Sequence, residues 1–106
     1  MEELNLLLQE MKEKGIESAV IRKDGVQTAS IISLDETTAQ TISSFSNTID
    51  AIMKTMKDKN NEIEISSDKG YIVIIPVKEY YLFSVIESRE HKKTIREYAA
   101  KVAALL

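Results

Sequence analysis

The chain has 106 residues, of which 43% are hydrophobic and 29% are charged. This composition is typical of a single globular domain and excludes a disordered chain. The net charge of −3 at pH 7 argues against DNA or RNA as partners, because phosphate binding depends on clustered lysine and arginine. The absence of cysteine excludes disulfide bonds, thiolate nucleophiles and zinc–sulfur sites, and it favours a reducing compartment. We therefore expect a cytoplasmic protein.

A short amphipathic helix is predicted at the start of the chain. Apolar residues recur at helical spacing, and Gly15 follows them as a stop signal. These apolar residues are Leu4, Leu7, Leu8 and Met11. The segment Met1 to Glu13 lacks a basic start followed by an apolar block, and no apolar run approaches the ~20 residues of a membrane span. We expect neither a targeting peptide nor a membrane span.

Two antiparallel strands are predicted next, joined by a tight turn. β-Branched residues are frequent from Ile16 to Lys23, and a second run extends from Val26 to Ile32. The dipeptide Asp24-Gly25 separates the two runs, and Asp-Gly between such runs is the strongest local signal for a hairpin.

A long amphipathic helix is predicted from about Glu36 to Lys57, because this stretch contains neither glycine nor proline. Either Ser33 or Asp35 can cap its first turn. Six apolar residues fall within an arc of about 100° on the helix surface. They are Ile42, Phe45, Ile49, Ile52, Met53 and Met56.

Three further strands and a last helix complete the pattern. From Glu62 to Ser66, polar and apolar residues alternate strictly, as they do in a strand with one buried face. The segments Tyr71 to Val77 and Tyr80 to Ile86 are mostly apolar, which is typical of inner strands. A final helix opens around Ser88 to Glu90. Its apolar residues are Ile95, Tyr98, Ala99, Val102 and Leu106.

The element order α-β-β-α-β-β-β-α predicts one α/β domain, of the α+β type, over residues 1–106. A five-stranded antiparallel sheet with apolar residues on both faces of its inner strands needs helices on both sides. The three amphipathic helices can supply this cover.

No group of residues in the sequence predicts catalysis. His91 is the only histidine, and we expect it to be exposed, with no nucleophile or orienting group beside it. The three glycines are isolated turn residues, and neither glycine-rich phosphate-binding pattern is present. We therefore expect no enzymatic activity, no cofactor, no metal site and no nucleotide binding.

Two groups of charged residues, one on a strand and one on the last helix, can be explained as surface residues. Glu62 and Glu64 share one face of a strand, and we expect them to face water because that segment contains no basic partner. The last helix begins with a basic stripe, which is either a solvated face or a contact for an acidic partner. Its residues are Arg89, Lys92, Lys93 and Arg96.

Two features favour binding of another protein chain. The flanks of the long helix are small and uncharged over three turns, which is typical of a surface that another helix approaches closely; a merely polar surface is the alternative. The strand Glu62 to Ser66 belongs at a sheet edge, where another chain can use the unpaired backbone groups, although its glutamates could instead prevent pairing. The predicted partner-binding residues are Gln40, Ser43, Ser44, Asn47 and Ala51.

Two segments resemble the Roadblock family, named after dynein light chains of the roadblock type. Gly15 to Val26, ending at Ala29-Ser30, resembles the opening hairpin of that family, and Gly70 to Val77 resembles its fourth strand with a late proline. The element order and the length agree over essentially the whole chain. Gln27 is a departure, because many relatives have proline at this position.

The resemblance implies a homodimer, or a heterodimer with a paralogue, in which the long middle helices pack together and the third strands join two sheets into one. It also implies that the dimer binds a small Ras-like GTPase, as a regulator or scaffold that acts on the partner's own site. On this basis we expect dimer contacts, some of them shared with the core, at Phe45, Ile49, Ile52, Met56, Ile63 and Ile65.

A small-molecule sensor domain is the alternative function, because α/β folds with a five-stranded antiparallel sheet also enclose ligands. This alternative predicts a cavity. The low share of aromatic residues, 6%, argues mildly against it.

Overall fold

The fold is taken from a computed structural model that describes residues 2–106. Its elements, in chain order, are α1 (Glu2–Glu13), β1 (Glu17–Arg22), β2 (Gln27–Ser30), α2 (Glu36–Thr55), β3 (Ile63–Ser67), β4 (Gly70–Val77), β5 (Tyr80–Ile86), a 3₁₀ turn (Arg89–His91) and α3 (Lys92–Leu105). The predicted order is confirmed. Helix α2 ends at Thr55 rather than Lys57, which has a positive φ of 59°.

The strands form one antiparallel sheet in the order β2-β1-β5-β4-β3. Strand β5 is central, and the short strands β2 and β3 are the two edges. The predicted Asp24-Gly25 turn joins β1 to β2, and Gly25 adopts the positive φ of 96° that such a turn favours in glycine. The strand predicted to lie at an edge therefore does lie there.

Helices α1 and α3 cover one face of the sheet and form the larger core. Their apolar stripes pack against alternate residues of the strands, as their periodicity predicts. The buried helix residues are Leu4, Leu8, Met11, Ile95, Tyr98, Ala99 and Val102. Val73, Ile75 and Leu82 point into this core from the strands, whereas Ile74 belongs to the core on the other face. The inner strands are thus covered on both faces, as predicted.

Helix α2 covers the opposite face, and its buried residues are small. Ala39, Ser43 and Ser46 lie against the sheet, where small side chains let a helix approach closely. Asp35 caps the helix, because its carboxylate accepts a hydrogen bond of 2.7 Å from the backbone N–H of Thr38. Of the two predicted caps, Asp35 is therefore correct.

A buried polar network attaches α2 to the sheet. The fully buried Tyr81 directs its hydroxyl to Asn47 Oδ1 at 2.6 Å and to Asp50 Oδ2 at 2.8 Å. Asn60, in the segment after the helix, donates to Asp50 Oδ1 at 2.7 Å. Burial, together with the hydrogen bond to Asp50, raises the pKa of Tyr81, so that its hydroxyl stays protonated and can donate.

We expect Tyr81→Phe to lower the free energy of unfolding by about 1–3 kcal/mol, because it leaves acceptors on α2 without their buried donor. Urea unfolding at pH 7 measures this change. Tyr80→Phe is the matched control, since that ring packs against the other core. Equal losses in the two variants would contradict a specific role for the Tyr81 hydroxyl.

Candidate functional site

The predicted apolar stripe of α2 is largely exposed. Phe45, Ile52 and Met56 have 42%, 50% and 67% of their surface accessible. Ile49 is half-buried, and its contacts are with the core under α2. Large apolar side chains grouped on one helix face are typical of a surface that binds another chain.

The half-buried member of the stripe joins it to the core under α2. Ile49 belongs to an apolar cluster that also contains Ile63 of β3. On the opposite side of the helix, Ser43 and Asn47 both donate side-chain hydrogen bonds to the backbone carbonyl of Lys23, in the β1–β2 turn. The helix surface therefore runs from a polar side over the β1–β2 turn to the exposed apolar stripe on the other side.

Strand β3 extends this apolar surface. Ile65 is 37% exposed and points to the same sheet face as Ile63, whereas Ile63 is only 8% exposed and is largely part of the core. Of the six residues predicted for the dimer contact, Ile49 and Ile63 share one apolar cluster, and the contact itself stays a prediction. We call the exposed or half-exposed members the α2–β3 surface, and they are Phe45, Ile49, Ile52, Met56 and Ile65.

The predicted partner-binding residues are divided by the structure. Ser43 is buried against the sheet, and its hydroxyl is bonded to the Lys23 carbonyl, so the structure removes it from a partner-binding set. Asn47 is exposed, but it contributes to the network that holds Tyr81. The small flank that sequence reasoning assigned to another helix is therefore used in part for the close approach of α2 to its own sheet.

The other three predicted partner-binding residues are exposed. Gln40 packs over the β1–β2 turn, where a Cβ on Gly25 would come within 2.8 Å of the Gln40 side chain. Ser44 and Ala51 lie on the polar flank of α2, away from the apolar stripe. Sequence reasoning overlooked Ser46 and Asp50 as residues that face the sheet, and the signal available for them was their helical spacing from Ala39 and Ser43.

The glutamates near the edge strand do not simply face water. Lys92 Nζ lies 2.6 Å from Glu62 Oε2 and 3.1 Å from Glu64 Oε1, so one ammonium group joins both carboxylates. Arg96 pairs with Glu62 at 2.9 Å, and Arg89 pairs with Glu64 at 3.1 Å. The expectation that Glu62 and Glu64 face water is wrong, because cationic side chains lie beside both carboxylates. Of the two alternatives for the basic stripe, contact with acidic groups is the one observed, and it is made within the same chain.

The cluster lowers the pKa of both glutamates. Burial raises the pKa of Glu62, but hydrogen bonds from Arg96 and Lys92 outweigh it and leave this pKa below its usual value. The hydrogen bond from Lys92 is the main cause of the lowered pKa of Glu64. The hydrogen bonds of Lys92 to Glu62 and to Glu64 raise the pKa of its ammonium group. The edge strand is thus connected to α3 by charges on the face opposite α2.

A groove of about 680 Å³ lies at the end of the sheet where β1 begins, β5 ends and a turn joins β3 to β4. Its lining residues are Lys12, Gly15, Glu17, Ser67, Lys69, Gly70, Tyr71, Ile72, Val85, Ile86, Glu87 and His91. His91 is half-buried rather than exposed, because its ring lies over Gly15. A Cβ added at Gly15 would be 3.5 Å from the imidazole Cε1. Two lysines and two glutamates line the groove, so no single sign of charge selects a ligand.

Within residues 2–106, no three histidine, aspartate or glutamate side chains are grouped as metal ligands would be. No helix in the same range is both long and apolar enough to cross a membrane.

The element order and the five-stranded antiparallel sheet define a fold of the roadblock and profilin type. Among solved structures, the chain is similar to Myxococcus xanthus MglB, with a TM-score of 0.84 and 12% identity over 98% of this chain and 87% of that one. A second structure, MglB with a tetrameric arrangement, matches with a TM-score of 0.77 and 17% identity over 97% and 87%. A Roadblock/LC7 domain from Streptomyces avermitilis matches with a TM-score of 0.72 and 10% identity over 95% of each chain.

Profilin IB of Acanthamoeba castellanii has the same fold, with a TM-score of 0.73 and 11% identity over 96% of this chain and 98% of that one. Searches with the sequence find no matching family model and no matching curated protein. At these identities the similarity establishes the fold alone, which is the roadblock-type fold that the resemblance implied, and the function has to be argued from the surface.

We expect Lys92→Met to lower the urea midpoint at pH 7 more than Lys93→Met, an exposed neighbour on the same helix. Because the glutamate pKa values are lowered by folding, their contribution is fully present above the unfolded carboxyl pKa of about 4.3 and is lost as pH falls through the folded values. The gap between wild type and Lys92→Met should therefore close in acid. A gap that persists at low pH would show that Lys92 acts through packing.

Proposed function

We propose that this protein is a non-catalytic, dimeric binding domain that regulates or recruits a small Ras-like GTPase. The observation that supports self-association most directly is the exposed apolar stripe of α2 beside the free edge of β3. Exposed apolar groups and unpaired strand backbone both favour contact with another chain, and here Ile49 of the stripe and Ile63 of β3 belong to one apolar cluster.

One symmetry operation covers both features. A twofold axis normal to the sheet and next to β3 places a second β3 beside the first and a second α2 beside the first α2, on the same face. Such an interface uses the same patch of both subunits, as in most homodimers. A paralogue with the same patch could replace the second copy. The tetrameric arrangement of one MglB structure is consistent with a fold that self-associates.

The GTPase part of the proposal rests on the resemblance of the hairpin and of β4 to Roadblock domains. The roadblock-type fold supports it at the level of architecture. The chain has no glycine-rich phosphate-binding pattern, so any nucleotide would belong to the partner. With one histidine and no cysteine, we propose that it changes the partner's nucleotide cycle or location without catalysis of its own, in the cytoplasm.

A small-molecule sensor is the alternative, and the groove near His91 is the observation that favours it. Its volume is within the range of about 300–1,000 Å³ that is usual for ligand sites. Its mixed charges and largely exposed lining make it a weaker feature than the α2–β3 surface.

We expect Ile52→Glu to convert the dimer into a monomer at micromolar concentration, because it places a charge in the centre of the apolar stripe. Sedimentation velocity measures the change, and far-UV circular dichroism shows whether the helix is retained. The matched control is Ala51→Glu, on the exposed polar flank of the same helix, which should remain dimeric. A wild-type protein that is strictly monomeric would contradict self-association.

We expect the wild-type protein to bind the small Ras-like GTPase encoded nearest to its gene and to change the rate of GTP hydrolysis or nucleotide exchange. Single-turnover hydrolysis and calorimetric titration measure the two effects, with Ile52→Glu showing whether the dimer is required. Absence of both binding and a rate change would contradict the GTPase proposal and favour the sensor alternative, without affecting self-association.

A further inference from the structure

We propose that the groove between α1 and β2 binds an extended segment of a partner protein in which basic and apolar side chains alternate. The segment pairs with the open edge of β2 and becomes a sixth strand of the sheet. This edge lies across four strand spacings from β3, a distance of about 19 Å. Binding there does not depend on self-association, and it leaves the α2–β3 surface free.

The groove follows the outer side of α1, where this helix passes over β2. Its volume is about 670 Å³. We call it the α1–β2 groove, and its lining residues are Glu2, Asn5, Leu6, Gln9, Ser30 and Ile31. It therefore combines one side of a helix with the end of an edge strand.

Leu6 provides an apolar contact that the core of the protein does not use. Leu4, Leu8 and Met11 of the same helix are fully buried, whereas Leu6 is 62% exposed. Ile31, which is half-buried, lines the same groove. Exposed apolar side chains grouped in a groove favour contact with an apolar side chain of another molecule.

The backbone of β2 has free groups beside this groove. Ile31 donates its N–H to the carbonyl of Ser18 at 3.0 Å, so this pair is hydrogen-bonded. Ser30 pairs with Ala19, and hydrogen-bonded and non-hydrogen-bonded pairs alternate in an antiparallel ladder. The N–H and C=O of Ser30 therefore point away from β1, toward the open edge. The irregular part of this ladder lies beyond Ala29, so an added strand pairs best at the Ser30 end.

Carboxylates lie at both ends of the β2 edge. Among the groove's lining residues within 2–106, Glu2 alone is charged, and the exposed Glu3 is next to it. At the far end of the strand, Gln27 Nε2 donates to the backbone carbonyl of Leu34 at 2.9 Å, and the exposed Asp35 follows directly. Lysine or arginine side chains of an incoming strand are attracted to both ends, whereas an acidic strand is repelled.

The neighbouring cations have contacts elsewhere in the chain. Arg22, which leads into the β1–β2 turn, pairs with Asp24 at 2.7 Å. Lys23 Nζ lies 5.7 Å from the centre of the Tyr81 ring, on the side of the sheet that α2 covers. Lys12, further along α1, lines the groove near His91 instead. The negative charge beside β2 is therefore available to a partner.

Peptide titration of the full chain tests this inference. The probe is a blocked, fluorescently labelled heptapeptide in which lysine and valine alternate, and its matched control has glutamate in place of each lysine. Fluorescence anisotropy should show that the lysine peptide binds at least about ten-fold more tightly and that its binding weakens as salt rises. Equal affinities, or no binding of the lysine peptide, would overturn the proposal and leave the proposed dimer and GTPase contact unaffected.

Matched variants test whether Leu6 is the apolar contact. Leu6→Ser should weaken binding of the lysine peptide by about ten-fold, because it removes most of a leucine side chain from the contact. Leu105→Ser is the control, since this leucine is 38% exposed on α3 and lies outside the α1–β2 groove. Equal losses in the two variants would contradict the groove as the binding site.

Heteronuclear NMR spectra identify which sheet edge the peptide uses. The backbone amide signal of Ser30 should shift as the lysine peptide is added, and those of Ile63–Ser67 should not. Shifts confined to Ile63–Ser67 would place the peptide at β3 and overturn the assignment to β2.

Sedimentation velocity distinguishes a partner segment from a second copy of this chain. Leu6→Ser should have the same association state as the wild-type protein. Loss of self-association in this variant would show that a second copy occupies the α1–β2 groove, and it would overturn the proposal of a basic partner segment.

Discussion

The buried hydroxyl of Tyr81 is the contact on which the arrangement of α2 depends. Its acceptors, Asn47 and Asp50, lie on one side of the helix, and a buried polar group without a partner is costly. That side must therefore face the sheet, and the rotation of the helix follows from it. The larger apolar residues of α2, among them Phe45 and Ile52, are then turned away from the sheet and remain exposed. A polar contact in the core thus leaves the apolar stripe of α2 exposed.

The edge strand has a similar division between its faces. Ile63 and Ile65 point to the side of α2, while Glu62 and Glu64 are held by cations of α3 on the other side. Edge strands of natural proteins often use charges to prevent unwanted pairing. Here the charges are compensated within the chain, so the open backbone of β3 remains available. Residues of α2 and α3 thus contact opposite faces of β3, and neither helix pairs with its open backbone edge.

Proteins as different as MglB and profilin share this fold, so the architecture alone does not select a partner. The function is therefore argued from the surface of α2 and β3, and most of the exposed apolar residues of that surface could be predicted. The dimer residues Phe45, Ile52 and Met56 are exposed on one stripe, although their contact with a second chain stays a prediction. The predicted partner-binding role of Ser43 is wrong, because a serine on a long helix is compatible with either a solvent face or a tight packing contact.

The sequence by itself determined the order of helices and strands, the Asp24-Gly25 hairpin and the edge position of β3, because periodicity and turn chemistry act over a few neighbouring residues. Only the tertiary structure decided which side of α2 faces the sheet, since that depends on Tyr81, which is 31 residues away from Asp50. It also decided that the glutamates form ion pairs instead of facing water, because Arg96 is 34 residues from Glu62. Contacts between distant segments leave no local pattern, and they determine which predicted surface remains open.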